Sequence, residues 1–305
     1  MTDKTTYNAI SLFSGLGGDS LGMTQAGCKI IAYNELKPVF CKSHDANFPT
    51  SELICEGKVN DISKLKDETF VKYDGKTDIV FAGFPCQGFS NAGKKKEDDP
   101  RNTMFLEFLR VTKLTKPKMI IGENVKGLLS RKEPLKTKPN MLSIVKYNMT
   151  GAVKVEAEWF KDIPTECILT DMTDTTAYKS NNGGHPYLVS QIVADGEDCF
   201  YAGKQHEYLF SFGKRNSPIH CEIIDIRKPS KTIICTYEHQ PRLFVPLKNA
   251  SGCYLRMLLP DELKQIQGFP SDYILCGSNK EQIIQIGNAV PPPLIKAIVE
   301  HVTNK

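Results

Sequence analysis

No stretch of about 18 consecutive apolar residues occurs in this 305-residue sequence, so no segment is expected to cross a membrane as a helix. No two of the ten cysteines lie within four residues of each other; they stand at 28, 41, 55, 86, 167, 199, 221, 235, 253 and 276. That spacing excludes the paired cysteines of zinc and redox motifs, and no metal site is expected. It suits reduced thiols that mostly act as small buried hydrophobes. Internal repeats and low-complexity tracts are absent. The opening Met1-Thr2-Asp3-Lys4 has neither the apolar core nor the cleavage site of a signal peptide, so export is not expected. Charge is nearly balanced, at a net +4, which permits a polyanionic partner without requiring one. With 40% hydrophobic and 24% charged residues, the chain reads as a soluble globular protein, one large domain with a smaller lobe.

The first 130 residues alternate short apolar runs with helical stretches. Ala9-Ile10-Ser11-Leu12-Phe13 reads as a buried strand, followed by a glycine loop and a helix over 19–26. A second strand over 29–33 leads to a helix over 38–46 that carries Pro38 in its first turn. Asp78-Ile79-Val80-Phe81-Ala82 is a third strand, and Lys118-Met119-Ile120-Ile121-Gly122 a fourth. Between them, Met104, Phe105, Phe108, Leu109 and Val111 recur at helical spacing. Strand–helix alternation of this kind predicts an α/β fold with a doubly wound, mostly parallel sheet. From about 131 to 273 the alternation breaks down, leaving short β-like runs such as Glu222-Ile223-Ile224 and Thr232-Ile233-Ile234. After Glu281 an apolar helical pattern returns, broken by Pro291-Pro292-Pro293. The expected organisation is a discontinuous domain, 1–165 plus 280–305, with a smaller lobe over 166–279 inserted into it.

Four sites carry candidate chemistry, each at a predicted strand end. Phe13-Ser14-Gly15-Leu16-Gly17-Gly18 lets the backbone turn sharply and approach a ligand. It fails the GxGxxG fingerprint, because Ser20 holds the last position. Glu35 follows the second strand, about where a ribose-binding acid belongs in such folds; a tight turn plus a surface glutamate is the alternative. Gly83-Phe84-Pro85-Cys86-Gln87-Gly88-Phe89-Ser90 follows the third strand. A structural cysteine does not need such proline and glycine punctuation, so Cys86 reads as a residue that substrate can reach. Glu123-Asn124-Val125 follows the fourth strand. A carboxylate there can share a cleft with Cys86, and desolvation would raise its pKa and fit it to donate a proton. The alternative is a helix-capping acid.

Taken together, these segments resemble the cytosine-5 methyltransferase family, as found among bacterial and viral modification methyltransferases, in both order and spacing. Phe13, Gly15, Leu16, Gly17 and Gly18 match its cofactor loop, Glu35 with Leu36 its ribose and adenine contacts, and Asp61-Ile62 its adenine-edge pair. Pro85-Cys86-Gln87 is similar to its catalytic loop, Asp99-Pro100-Arg101-Asn102-Thr103-Met104-Phe105 to the segment after it, and Glu123-Asn124-Val125 to its acid motif. Arg256-Met257-Leu258-Leu259-Pro260-Asp261-Glu262 with Gln267-Gly268-Phe269-Pro270 resembles its hinge motif. Gln285-Ile286-Gly287-Asn288-Ala289-Val290-Pro291 resembles its closing cofactor motif. The resemblance covers roughly residues 8–130 and 228–300.

The resemblance implies S-adenosyl-L-methionine as cofactor, held by those residues with Pro85, Asn288, Ala289 and Val290. It implies double-stranded DNA as substrate, methylated at C5 of a flipped cytosine, with Cys86 as nucleophile and Glu123 as acid. The inserted lobe becomes the target-recognition lobe. Gln87, Ser90, Arg101, Lys231, Thr232 and Arg242 are the expected nucleic-acid contacts, and a solvated basic face is the alternative for each. The basic loop from Ser90 to Arg101 is the candidate cover over the flipped base. A monomer is expected, and a cognate restriction endonuclease acting on the same site is a candidate partner whose existence the sequence leaves open. The expected setting is the cytoplasm of a bacterial or viral host, or the nucleus in a eukaryote. One family element has no counterpart between Val125 and Pro229: the Gln-x-Arg-x-Arg segment, of which Gln240-Pro241-Arg242 and Lys214-Arg215 are only partial matches. That absence leaves a DNA-binding relative impaired in catalysis as an alternative; a tRNA cytosine-5 methyltransferase of the same fold is a second one.

Overall fold

The alternation of the first 130 residues folds into a parallel sheet in a computed structural model, which describes residues 6–84, 104–123, 141–155, 157–161, 163–177, 187–188, 191–192, 211–212, 220–230, 233, 235, 237 and 243–303. β1 (Asn8–Leu12), α1 (Gly18–Gln25), β2 (Lys29–Asn34), α2 (Pro38–Asn47) and β3 (Glu52–Leu53) are followed by a 3-10 turn (Ile62–Lys64) and α3 (Glu68–Val71). Then come β4 (Ile79–Gly83), α4 (Met104–Thr115) and β5 (Met119–Glu123). Among the described residues these strands form a sheet in the order β3-β2-β1-β4-β5, and every pairing is parallel. The chain winds outward from β1 to β3, then crosses back to β4. The topological switch point therefore lies between the carboxyl ends of β1 and β4, the place where open α/β sheets bind ligands.

The central strands β1 and β4 are buried on both faces, as expected inside a parallel sheet. Successive side chains of a strand point to opposite faces. Ile10, Leu12, Val80 and Ala82 pack on one side with Phe70, Phe108 and Val111. Ala9, Ile79 and Phe81 pack on the other with Met23 of α1 and with Ile295 and Val299 of α8 (Pro292–Val302). The α1–α8 contact is close enough to require glycine at position 22, where a β-carbon would lie 2.5 Å from the Pro292 carbonyl oxygen.

The chain divides into two compact units. The first comprises 1–136, 272–281 and 288–305, and the second 137–271 and 282–287. The expected boundary at 165/166 is therefore displaced: residues 137–165 belong with the second unit. The reason is a strand pairing invisible in the local pattern. β6 (Val153–Val155) runs antiparallel to β13 (Gly252–Met257), joining Val155 to Cys253.

In the second unit, α5 (Met141–Ile144) precedes β6, and β7 (Leu169–Asp171) pairs in parallel with β12 (Leu243–Asn249). β12 and β13 form an antiparallel hairpin. The short strands β8 (Tyr187–Leu188), β9 (Gln191–Ile192), β10 (Ser211–Phe212) and β11 (His220–Ile223) complete the two sheets of this unit among the described residues. Of the expected run at 232–234, only Ile233 is described; it is buried outside any strand. Glu262, in the first turn of α6 (Pro260–Ile266), closes a buried ion pair with Arg256. Arg256 is fully buried, and its Nε, Nη1 and Nη2 donate to the carbonyls of Asn148, Met257 and Lys146 and to both Glu262 oxygens, all at 2.8 Å. α7 (Asn279–Asn288) connects to α8.

Candidate active site

The glycine loop begins with a strained residue. Phe13 adopts φ +57, in the left-handed region that costs a non-glycine residue about 1–2 kcal/mol. This turn takes the chain out of β1, and the Ser14 N–H donates to the Asn34 carbonyl at the end of β2. Gly17 has φ +92, and a β-carbon there would come within 2.8 Å of the Phe48 ring and 2.9 Å of the Tyr273 hydroxyl. Tyr273 in turn donates to the Leu16 carbonyl at 2.6 Å. Gly15 differs: it has φ +58, and among the described residues nothing lies within 4 Å of where its β-carbon would be. The loop is clamped from below at Gly17 and open above Gly15.

A buried polar group underlies the loop. The Asp19 carboxylate accepts a short hydrogen bond from the Ser11 hydroxyl and a longer one from Ser14 Oγ at 3.5 Å. Ser20 Oγ links Ser14 Oγ, at 3.3 Å, to His44 Nε2, at 3.0 Å. Burial pushes Asp19 up to about 7 and His44 down to about 3, so both favour their neutral forms.

Glu35 joins this loop to the second strand end. Its Oε2 accepts from the Gly15 N–H at 2.9 Å and its Oε1 from the Lys37 N–H at 2.8 Å. Burial raises its pKa, while the two N–H groups and Lys37 pull it back. Next to it the Leu36 side chain is 57% exposed, an apolar surface with its backbone fixed. Asp61 caps the turn Ile62–Lys64 by accepting from Ser63 N at 3.2 Å and Ser63 Oγ at 2.7 Å; these bonds, foremost that of the hydroxyl, hold its carboxyl below the usual range. Ile62 is buried in the core beside Leu65 and Phe70.

On the other side of the switch point, Gly83 ends β4 and is the register partner of Glu123, which ends β5. A β-carbon on Gly83 would lie 3.8 Å from Glu123 Oε2 and 3.7 Å from Val290 Cγ2. The carboxylate of Glu123 therefore leans over the end of β4, and desolvation raises its pKa. Phe84 continues from Gly83 and stacks near Phe105 and Phe108 of α4, at centroid distances of 5.5 and 6.3 Å.

The structure thus gathers Phe13, Gly15, Leu16, Gly17, Gly18 and Glu35 at one strand end, and Glu123 with Val290 at its neighbour. Asn288 ends α7 and Ala289 follows it. Pro85, Cys86, Gln87, Ser90, Arg101, Lys231, Thr232 and Arg242 lie outside the described residues, as does the expected cover from Ser90 to Arg101. Asp19, Ser11, His44 and Tyr273 were not singled out by the sequence. An acid immediately after the glycine loop was the one available signal.

The open face over Gly15, the fixed Glu35 carboxylate and the exposed Leu36 fit a nucleoside cofactor with a hydroxyl-bearing sugar and an apolar base face. No helix among the described residues is long and apolar enough to cross a membrane.

The model of the C-5 cytosine-specific DNA methylase family matches residues 7–160 and 167–304. The type II methyltransferase M1.HphI of Haemophilus parahaemolyticus is 30% identical over 329 residues, covering 96% of this chain and 86% of that one. The type II methyltransferase M.Eco47II of Escherichia coli is 26% identical, covering 99% and 80%. In fold, the chain is similar to the S. pombe Dnmt2 methyltransferase, with TM-score 0.54, 16% identity and coverage of 98% and 100%. It is also similar to the Entamoeba histolytica methyltransferase EhMeth, with TM-score 0.52, 17% identity and coverage of 99% of each chain. The sheet is that of an S-adenosylmethionine-dependent methyltransferase fold, and the chain belongs to the C-5 cytosine-specific DNA methylase family, as a DNA cytosine-5 methyltransferase.

Proposed function

We propose that this enzyme methylates a cytosine flipped out of duplex DNA, through a covalent bond between Cys86 Sγ and C6 of the base. Family membership implies S-adenosylmethionine as methyl donor and DNA as acceptor. The finer mechanism rests on one observation above all: the desolvated Glu123 carboxylate stands over Gly83, three residues before Cys86, at the switch point of the sheet.

Cytosine C5 is a weak nucleophile. Addition of the Cys86 thiolate across C5–C6 makes C5 enamine-like, which is covalent catalysis. Charge that develops on the ring at N3 is met by a proton or hydrogen bond from Glu123, whose burial favours the protonated form. When bound, S-adenosylmethionine supplies the electrophilic sulfonium methyl group. Once C5 is methylated its proton leaves to base, and the C6–S electron pair returns to Cys86 as the thiolate departs. A base stacked in a duplex cannot be reached by the thiol, so flipping is required, at a cost of a few kcal/mol.

Phe13, Gly15, Leu16, Gly17, Gly18, Glu35, Leu36, Asp61, Ile62 and Pro85, with Asn288, Ala289 and Val290, are assigned to the cofactor. Gln87, Ser90, Arg101, Lys231, Thr232 and Arg242 are assigned to nucleic acid. The second unit is assigned to target recognition. Incubation with labelled S-adenosylmethionine and either duplex DNA or tRNA, followed by nucleoside mass spectrometry, tests the reading. 5-Methylcytosine is expected in DNA, and none with Cys86→Ser. Label in tRNA with none in DNA would refute it.

A further inference from the structure

Beyond Asn34 the β2–β3 ladder has ended, since only Ala32 and Tyr33 pair with Glu52 and Leu53. Two asparagine side chains take over from it. Asn34 Nδ2 donates to the carbonyls of Ile54, at 2.9 Å, and Asn60, at 3.0 Å. Asn60 Nδ2 donates back to the carbonyls of Glu35, at 2.7 Å, and Leu36, at 3.1 Å. A carboxamide has two N–H hydrogens, and each of these amides uses both on carbonyls of the facing segment. The result is a reciprocal clamp between residues about 25 apart in sequence. One end of it is the peptide that carries Glu35 and Leu36; the other is the residue immediately before Asp61.

Glu35, Leu36 and Asp61 are assigned to the nucleoside of the cofactor under the proposed function, and a role for Asn60 there rests on that assignment. The Glu35 side chain is already oriented from the other side by Gly15 and Lys37. Its carbonyl also accepts from Cys41 Sγ at 3.4 Å. Leu36 is different. Its side chain is mostly exposed, and Asn60 is what ties down its carbonyl. A binding surface held in its bound geometry loses less freedom when the ligand arrives.

We propose that Asn60 is a positioning residue for nucleoside binding. It touches neither the reacting atoms nor DNA. By fixing the 35–36 peptide it sets the spacing between the Glu35–Leu36 turn and Asp61.

Asn60→Asp tests this with almost no change of shape, because it replaces the doubly donating NH2 by an oxygen facing two carbonyls. Binding of S-adenosylhomocysteine and of 5′-deoxy-5′-methylthioadenosine, which keeps the nucleoside but lacks the amino-acid arm, is measured by calorimetry. Both should weaken, each by about ten-fold or more, because the 35–36 peptide is no longer held in its binding geometry and must be ordered when the nucleoside binds. KM for S-adenosylmethionine should rise in parallel, with kcat at saturation within about two-fold of the parent value. Cofactor-free duplex affinity should hold, while the melting temperature falls by a few degrees because the lost hydrogen bonds lie within the protein.

Weakening of duplex binding as large as that of cofactor binding would make Asn60 a general structural staple and overturn the proposal. So would unchanged affinity for both nucleosides. If the parent enzyme itself failed to bind S-adenosylhomocysteine, the assignment of the cofactor site would fall instead. Asn60→Ala serves as the second variant: it removes the donors without adding charge, and it should show the same parallel loss on the two nucleosides.

Discussion

Glu123 and Gly83 are register partners at the carboxyl ends of β5 and β4, and the Glu123 carboxylate oxygen lies 3.8 Å from where a β-carbon on Gly83 would stand. An acid in this position meets whatever is held above the end of β4. Its pKa is raised by desolvation, so its protonated form survives to higher pH than an ordinary glutamate's and is lost as pH rises through the raised value. Glu123→Gln should therefore lower kcat by about 10²-fold or more while leaving S-adenosylhomocysteine affinity unchanged. Parent kcat should lose a Glu123-dependent component on the alkaline side of that pKa. The same limb persisting in the Gln variant would assign the proton to another group.

The floor of the glycine loop should make stability depend on pH near neutrality. Asp19 is raised to about 7 by burial, so its contribution to folding is fully present below its ordinary value near 3.8 and is lost as pH rises toward 7. Its neighbours do not titrate in that window, since burial lowers His44 to about 3 and pushes the Tyr273 hydroxyl well upward. Asp19→Asn mimics the neutral acid. Its melting temperature relative to the parent should rise from pH 5 to about 7 and level off above that, once Asp19 is charged in the folded parent as well. A constant difference across that range would show that Asp19 is already charged at low pH.

Gly17→Ala should damage the loop itself. The added methyl meets the Phe48 ring and the Tyr273 hydroxyl at under 3 Å, at a backbone φ of +92. Both the strain and the clash are local, so the expected cost is about 1–3 kcal/mol of stability with a larger loss of cofactor affinity. Denaturant titration and calorimetry on the same preparation measure the two. Gly15→Ala, where there is open space, should lose less stability than Gly17→Ala.

In the second unit, Arg256→Ala would leave the Glu262 carboxylate buried without its partner and three carbonyls without their donors. Breaking such a buried pair costs about 3–5 kcal/mol. Urea unfolding should show this loss, and Arg256→Lys should not restore it, because an ammonium cannot reach all these acceptors in the planar fork.

The parallel sheet was readable because each of β1, β2, β4 and β5 is an apolar run bounded by a turn signal. Boundaries moved by about one residue for local reasons: Phe13 leaves β1 because its φ is +57, and Glu123 joins β5 because it pairs with Gly83. The Glu35 and Glu123 positions were legible because strand ends are where such folds place polar groups. The second unit was not legible, because β6 and β7 are three-residue strands whose partners lie far along the chain, at β13 and β12. No window of local periodicity contains such a pairing, and it carried residues 137–165 out of the first unit. The Asn34–Asn60 clamp escaped for the same reason, since a side chain bonded to a distant carbonyl leaves no pattern in sequence. Asp19 read as the start of a helix, and only its burial shows what it does.

The central claim is that Cys86 bonds to C6 of the target cytosine. Duplex DNA carrying 5-fluorocytosine at the target position tests this most directly, because fluorine cannot leave as a cation and the final elimination is blocked. With S-adenosylmethionine present, a denaturation-resistant complex should form, and peptide mass spectrometry should place the adduct on Cys86. Efficient methylation of ordinary duplex DNA with no trapped complex, or an adduct on a residue other than Cys86, would contradict it.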